Sequence, residues 1–389
     1  MSDLAIKSSV PVDVRPAEPS LGYASVFRKP DTLMGHLISI GVGALILLAG
    51  IPVLYGVGAI DITTVNQLGR FLAIAIVALG IDLVWGYTGI LTLCQAMFFC
   101  FGGYAIGMHM ALHGPLDGDG KDIPRALFVV SSEVSGLKLP WFWKPFQGLP
   151  LTVTLGLFLP GLFAFVFGYF AFRSRVRGVY FSIITQATTL AATLVFRKNE
   201  MRLCGTNGLT NFVTLAGFDL QKPAVKMGLY IITTIVLLLV YALCVWVVRS
   251  RAGRLLKAVR DNESRLRFAG YQPVTFKVFI FVLGAILAAI GGMLYTPQNG
   301  IITPYKMDPI VSIVMVVYVA VGGRGTLLGA VVGALLVSYM ESILTSRMPL
   351  AWPFILGGLF VVVTLFMPDG IVGAIQKLIE RVRRMEART

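Results

Sequence analysis

Apolar residues in this chain run in long blocks rather than in short alternations. Uncharged stretches over 33–56, 149–172, 228–248 and 278–296 each extend for about 18 residues or more, close to the roughly 20 that cross the hydrocarbon core of a bilayer as helix. The block 71–81 reaches that length only when Leu68 and Trp85 are included, with Arg70 and Asp82 near its ends. Apolar length and the polar breaks together predict ten helices, near 33–57, 68–85, 89–113, 150–172, 178–196, 228–248, 275–296, 309–322, 327–345 and 351–367. The pattern is that of an all-α integral membrane protein. Glycines fall inside the blocks, as in Phe101-Gly102-Gly103-Tyr104, Gly291-Gly292 and Gly329-Ala-Val-Val-Gly333, where small residues let helix backbones approach closely in lipid.

Composition strengthens that reading. Of 389 residues 56% are hydrophobic and 13% charged, against about 25% charged in a soluble domain, and the mean hydropathy is +0.81. The net charge of +14 would suit nucleic acid, but the basic residues are parcelled into loops between apolar blocks, which argues for topology and against a nucleic-acid partner. With both termini cytoplasmic, 21 Lys and Arg fall inside and 12 outside. The inner ones cluster at Arg173, Arg175 and Arg177, from Arg249 to Lys277, and at Lys377, Arg381, Arg383, Arg384 and Arg388. Residues 1–32 carry prolines and no apolar core and are expected as a flexible cytoplasmic arm rather than a cleaved signal. Residues 33–372 form the transmembrane domain, and the basic segment 373–389 is expected as an amphipathic tail on the inner membrane surface.

Catalysis finds little support. The four cysteines, Cys94, Cys100, Cys204 and Cys244, have neither zinc spacing nor the pattern of a disulfide framework. His36, His109 and His113 lack acidic company, no serine stands in a nucleophile elbow, and no phosphate-binding glycine loop is present. The expectation is therefore no metal, no cofactor and no ATP hydrolysis on this chain.

The cytoplasmic stretch 249–270 is polar, basic and too long for a mere turn. Leu255, Leu256, Val259, Leu266 and Ala269 give short apolar faces at helical spacing, interrupted at Asp261 and Asn262, so the segment is expected as two short amphipathic helices joined by a turn. Read from the residues alone, it is either a docking element for a cytoplasmic protein or a basic loop that fixes topology. Gly253, Arg254, Ala258, Arg260, Asp261, Asn262, Glu263 and Gly270 carry a resemblance here. In this pattern the sequence resembles the branched-chain amino acid and urea permeases of ATP-binding-cassette importers. Further matches are Gly86-Tyr87-Thr88-Gly89, Gly205-Thr206-Asn207-Gly208-Leu209, Gly322-Gly323-Arg324-Gly325-Thr326-Leu327-Leu328-Gly329 and Met367-Pro368-Asp369-Gly370-Ile371, so that the resemblance covers about residues 33 to 380.

The resemblance implies a multi-pass permease of the bacterial inner membrane whose 249–275 segment is a coupling helix seated in an ATPase subunit. It implies as partners a second related permease, two cytoplasmic ATPases that bind ATP and Mg, and an extracytoplasmic solute-binding protein. Cys94-Gln95-Ala96, Phe98-Phe99-Cys100-Phe101-Gly102-Gly103 and the outer segment Leu139-Pro140-Trp141-Phe142-Trp143-Lys144-Pro145-Phe146 resemble the urea branch, which implies urea as solute and branched-chain amino acids as the alternative.

Polar side chains deep in apolar spans mark candidate pathways. Ser182, Gln186, Thr189 and Thr193 fall at steps of four, three and four, on one helix face with Thr185 and Thr188 beside it. Such a stripe could hydrogen-bond a neutral solute, or it could bond to a neighbouring element. Tyr87, Thr88, Thr92 and Gln95 form a second candidate set, where paired glycines can interrupt a helix and expose backbone groups to a cavity; Asn207 joins them from the glycine-rich outer motif. Gln95 is the preferred single residue. Asp82 and Glu341 are the deepest acids, which keeps an ion-coupled transporter open as a further class, as the neutrality of urea does for a passive channel.

Overall fold

The computed structural model describes residues 33–114, 140–174, 176, 178–348, 350–366 and 370–374. The expected arm 1–32, most of the acidic and basic outer loop 115–148, Arg175, Arg177, the Met367-Pro368-Asp369 part of the last motif and the tail from 375 lie outside the described residues.

The first apolar block forms α1, a helix in three continuous pieces, Leu33–Ala44, the wide turn Leu45–Gly50 and Ile51–Gly56. After it come α2 (Ile62–Ile81), which runs into a second wide turn Asp82–Gly86, and α3 (Gln95–Leu112). Three long helices follow: α4 (Leu149–Arg173), α5 (Val179–Arg197) and α6 (Pro223–Arg249). The polar segment is α7 (Arg251–Phe268), and the remainder is α8 (Pro273–Asn299), α9 (Pro309–Gly322), α10 (Leu327–Arg347) and α11 (Trp352–Phe366). A two-residue hairpin, Thr214–Leu215 with Phe218–Asp219, closes the loop before α6.

Helices thus occupy every predicted position, and among the described residues seven are long and apolar enough to cross a membrane. The segments at α3, α9 and α11 are not among those seven; α9 has 14 residues and α11 has 15. Several boundaries differ from expectation, two of them by six residues. The second helix starts at Ile62 rather than 68, and the third starts at Gln95 rather than 89, leaving residues 89–94 without helical structure. Their apolar character gives no hint of the break; its cause lies on another helix and is described below.

The centre of the bundle is α2 and α8, with α3 and α4 packed on α8. Contact between α8 and α3 is nearly backbone on backbone. A Cβ on Gly292 would run into the carbonyl of Phe99 and stand 3.0 Å from the Gly103 amide, and one on Gly102 would stand 2.7 Å from the carbonyl carbon of Ala289. Because lipid is as apolar as a leucine side chain, helices in a bilayer hold together through such close packing. Gly292→Ala is accordingly expected to destabilise the fold by about 1–3 kcal/mol, the usual scale of overpacking. A lowered midpoint in detergent thermal unfolding is the readout, and an unchanged midpoint would show that the two helices have room to part.

Near Lys277, rings from four helices lock together. Phe172 and Phe181 stack at 4.7 Å between centroids, and Phe281 meets Phe98, Phe181 and Phe172 edge-on at 5.8, 5.8 and 6.1 Å. Offset and edge-to-face pairs of this kind add about 0.5–1.5 kcal/mol each beyond burial. The outward faces of α4, α5 and α6 are apolar and uncovered, as at Phe158, Phe170, Ile183, Leu194, Leu239 and Trp246, which suits lipid or another membrane subunit and not water.

Candidate functional site

Irregular backbone at membrane depth must find its hydrogen bonds inside the protein. The break at 89–94 finds them on α5. Ser182 donates its hydroxyl to the carbonyl of Leu91 at 2.9 Å, Thr185 accepts from the Leu93 amide at 3.1 Å, and Thr189 donates to the Leu93 carbonyl at 3.1 Å. One turn on, Thr193 donates to the carbonyl of Met307 at 3.0 Å. All four hydroxyl residues are buried. Of the two uses open to the stripe, bonding to a neighbouring element is therefore what these hydroxyls do in this conformation. Gln186 is half-buried on the same helix and makes no side-chain hydrogen bond among the described residues.

Where the break ends, Gln95 opens α3. Its side chain is fully enclosed, its Nε2 donates weakly to Thr92 Oγ1 at 3.3 Å, and its Oε1 accepts no hydrogen bond among the described residues. The exposed donors of this helix start are partly met from α9, where Ser312 Oγ accepts from the Ala96 amide at 3.2 Å; nothing in the sequence pattern singled Ser312 out. Thr88 bonds back to the carbonyl of Val84, and the Tyr87 ring lies under the ammonium of Lys257, 5.6 Å from its centroid. Asn207 is separate from this group. It is exposed, in a loop pinned to the chain before α9 by the paired backbones of Leu209 and Ile302.

That loop also buries the thiol of Cys204, whose pKa burial pushes up to about 12. The thiol is therefore neutral throughout the physiological range and becomes thiolate only as the pH rises toward that value. Compared with an exposed thiol of ordinary pKa, alkylation of Cys204 at pH 8 is expected to be slower by about 10³-fold, because the thiolate is the nucleophile. Mass spectrometry after maleimide treatment reads this out, and rapid labelling would mean that the loop opens.

The polar segment α7 carries the most connected part of the site. Ser250 caps it by accepting from the Gly253 amide at 3.3 Å, and Gly253 fits beneath the end of α6, where a Cβ would stand 2.6 Å from the Val247 carbonyl. As the sequence predicts, the helix is broken near its middle. Asn262 is extended (φ −160°, ψ 95°), and its Oδ1 accepts from the Arg265 amide at 3.0 Å, capping the second piece. Leu256, Val259 and Leu266 turn inward and are buried, whereas Ala269 is exposed and does not join them. Gly270 ends the segment with φ +85°.

The motif residues of α7 divide between its two sides. Arg260 reaches the membrane domain, donating from Nη1 to the carbonyl of Gly86 at 2.9 Å, while its stem crosses Gly89 so closely that a Cβ there would sit 3.0 Å from Arg260 Cγ. Glu263 also points inward and pairs with Lys277 of α8 at 2.9 Å and with Arg267 at 2.7 Å. Arg254, Asp261 and Asn262 face away and are exposed, Ala258 is half-buried, and Phe268 is 91% exposed. An almost fully exposed phenylalanine beside exposed Arg265, Ala269 and Tyr271 leaves an apolar and basic surface open among the described residues.

Many apolar helices, a non-helical stretch between two of them stapled by the hydroxyls of α5, and a polar element anchored beside that stretch are the features of a multi-pass membrane permease. The family model described as "Branched-chain amino acid transport system / permease component" matches residues 63–364, and the chain belongs to that family. Its members are membrane subunits of ATP-binding-cassette importers and not enzymes themselves, and they work with ATPase and substrate-binding partners. Among relatives, the high-affinity branched-chain amino acid transport system permease protein LivM of Escherichia coli is 22% identical, over 85% of this chain and 74% of its own. LivM of Salmonella typhimurium is 21% identical over 84% and 73%. The autoinducer 2 import system permease protein LsrC of Yersinia enterocolitica is 24% identical over 60% and 66%. No solved structure matches the chain.

Proposed function

We propose that this chain is one of two related permease subunits of an ATP-driven importer that moves urea across the inner membrane, with both its termini cytoplasmic. Two ATPase subunits that bind ATP and Mg grip α7, and a solute-binding protein delivers to the outer loops. The observation that carries the reading is the bond from Arg260 to the Gly86 carbonyl, which joins a cytoplasm-facing element to the interrupted span. A passive channel has no use for such a link, and an ion-coupled transporter would centre on carboxylates rather than on it.

Urea is supported by the Cys94-Gln95-Ala96 sequence and by an enclosed Gln95 whose amide oxygen accepts no bond from the described residues, an acceptor suited to the N–H groups of a small amide. A branched-chain amino acid is the second reading, favoured by the likeness to LivM. Uptake of labelled urea and of labelled leucine by the reconstituted complex, with and without ATP, separates them. Accumulation of urea only with ATP is the expected result. Accumulation of leucine instead transfers the assignment to the second reading, and equilibration of urea without ATP would mean a channel.

A further inference from the structure

The turn between α9 and α10, Gly322 to Thr326, meets the wide turn at the foot of α2. The Gly325 amide donates to Asp82 Oδ1 at 2.6 Å, and the Asp82 side chain is fully buried. Gly86, at the other end of that wide turn, lies against the same residue: a Cβ on it would stand 2.6 Å from the Gly325 nitrogen and would collide with the Asp82 carboxyl. Gly325 itself has φ +76°, the left-handed region open to glycine. A second contact runs between the same two pieces, with the Arg324 guanidinium 5.3 Å from the centre of the Trp85 ring. From the cytoplasmic side, Arg260 holds the Gly86 carbonyl.

We propose that Asp82 is a positioning residue for transport, the latch through which movement of α7 reaches the α9–α10 turn. The proposal rests on the importer reading. One strip of five residues carries both handles: Arg260 holds its last carbonyl, and its first side chain holds the Gly325 amide. The strip is a π-type turn, a winding that recurs at functional positions and sits close in energy to the tighter α form. Displacement of α7 by the ATPases shifts Gly86, and with no side chain between Gly86 and Gly325 the shift passes directly into the turn. The inner ends of α9 and α10 then move with the docking element.

The test uses the whole complex in proteoliposomes and reads solute taken up per ATP hydrolysed. Asp82→Asn keeps an oxygen facing the Gly325 amide but replaces the carboxyl by an amide with N–H donors of its own, and it is expected to lower that ratio about fivefold or more, the scale of a modest coupling energy, with all subunits assembled and ATP still hydrolysed. Arg324→Ala, which leaves the latch in place, is expected to retain most of the ratio. An Asp82→Asn complex with the ratio of the parent overturns the latch alone. So does failure of that variant to assemble, which would make Asp82 a folding residue, and so does an equal loss in Arg324→Ala. Absence of ATP-driven uptake by the unaltered complex removes the importer reading and the latch together.

Discussion

Replacing Arg260 and Asp261 together by alanine is expected to leave the ATPase subunits bound and hydrolysing while solute uptake falls by about tenfold or more, the scale of losing a coupling energy above 1 kcal/mol. The reason is that the two side chains work on opposite sides of one element. Arg260 donates inward to the Gly86 carbonyl, whereas Asp261 is exposed and helps hold the Arg260 guanidinium, Nε to Oδ1 at 3.2 Å. Removing both leaves Leu256, Val259 and Leu266 buried beneath α7 and the Glu263 pair with Lys277 in place. The element therefore stays docked on its own subunit and loses its grip on the break. Simultaneous measurement of ATP hydrolysis and uptake in proteoliposomes checks this. A variant that transports normally with its ATPases bound would remove Arg260 from the coupling role.

Gln95→Leu is expected to abolish most uptake while the protein inserts and assembles as before. Leucine is close to glutamine in volume and fills the same enclosed site, so the packing against Gly284 survives; only one weak bond, to Thr92 at 3.3 Å, is lost. Loss of a single such bond costs about 0.6 kcal/mol inside a membrane, too little to unfold the bundle. Uptake, by contrast, would lose both an amide donor and an acceptor at the one place where the span is interrupted. Transport assayed beside a pull-down of the ATPase partner separates the two effects. Normal uptake by the variant would mean that Gln95 only joins neighbouring helices.

The sequence made some of this legible and concealed the rest for identifiable reasons. Apolar block length is a local property, so the long helices were readable from their own residues. The kink at Asn262 was readable too, because Asp261 and Asn262 interrupt an apolar face whose period is otherwise regular. The interruption at 89–94 was not, since Ile90, Leu91 and Leu93 read as helix and what unwinds them is a set of hydroxyls about 90 positions away. The latch was hidden for the same reason, with Asp82 and Gly325 separated by 243 positions. Its signals, an acid in an apolar run and a glycine-arginine-glycine turn, were visible singly and gave no sign that they meet. For the stripe on α5, periodicity grouped Ser182, Thr189 and Thr193 but put Gln186 in the place that Thr185 takes, and it could not say whether solute or backbone would occupy the face.

Those three bonds between α5 and the non-helical segment carry a mechanical consequence. Sliding α5 by one turn would strip every one of them at once, exposing bare amide and carbonyl groups to an environment with no water to accept them. The helix and the non-helical segment must then travel as one body through each transport cycle, and the relative motion that opens a passage has to occur along the other faces of that body, such as the apolar outward face of α5 at Ile183 and Leu194.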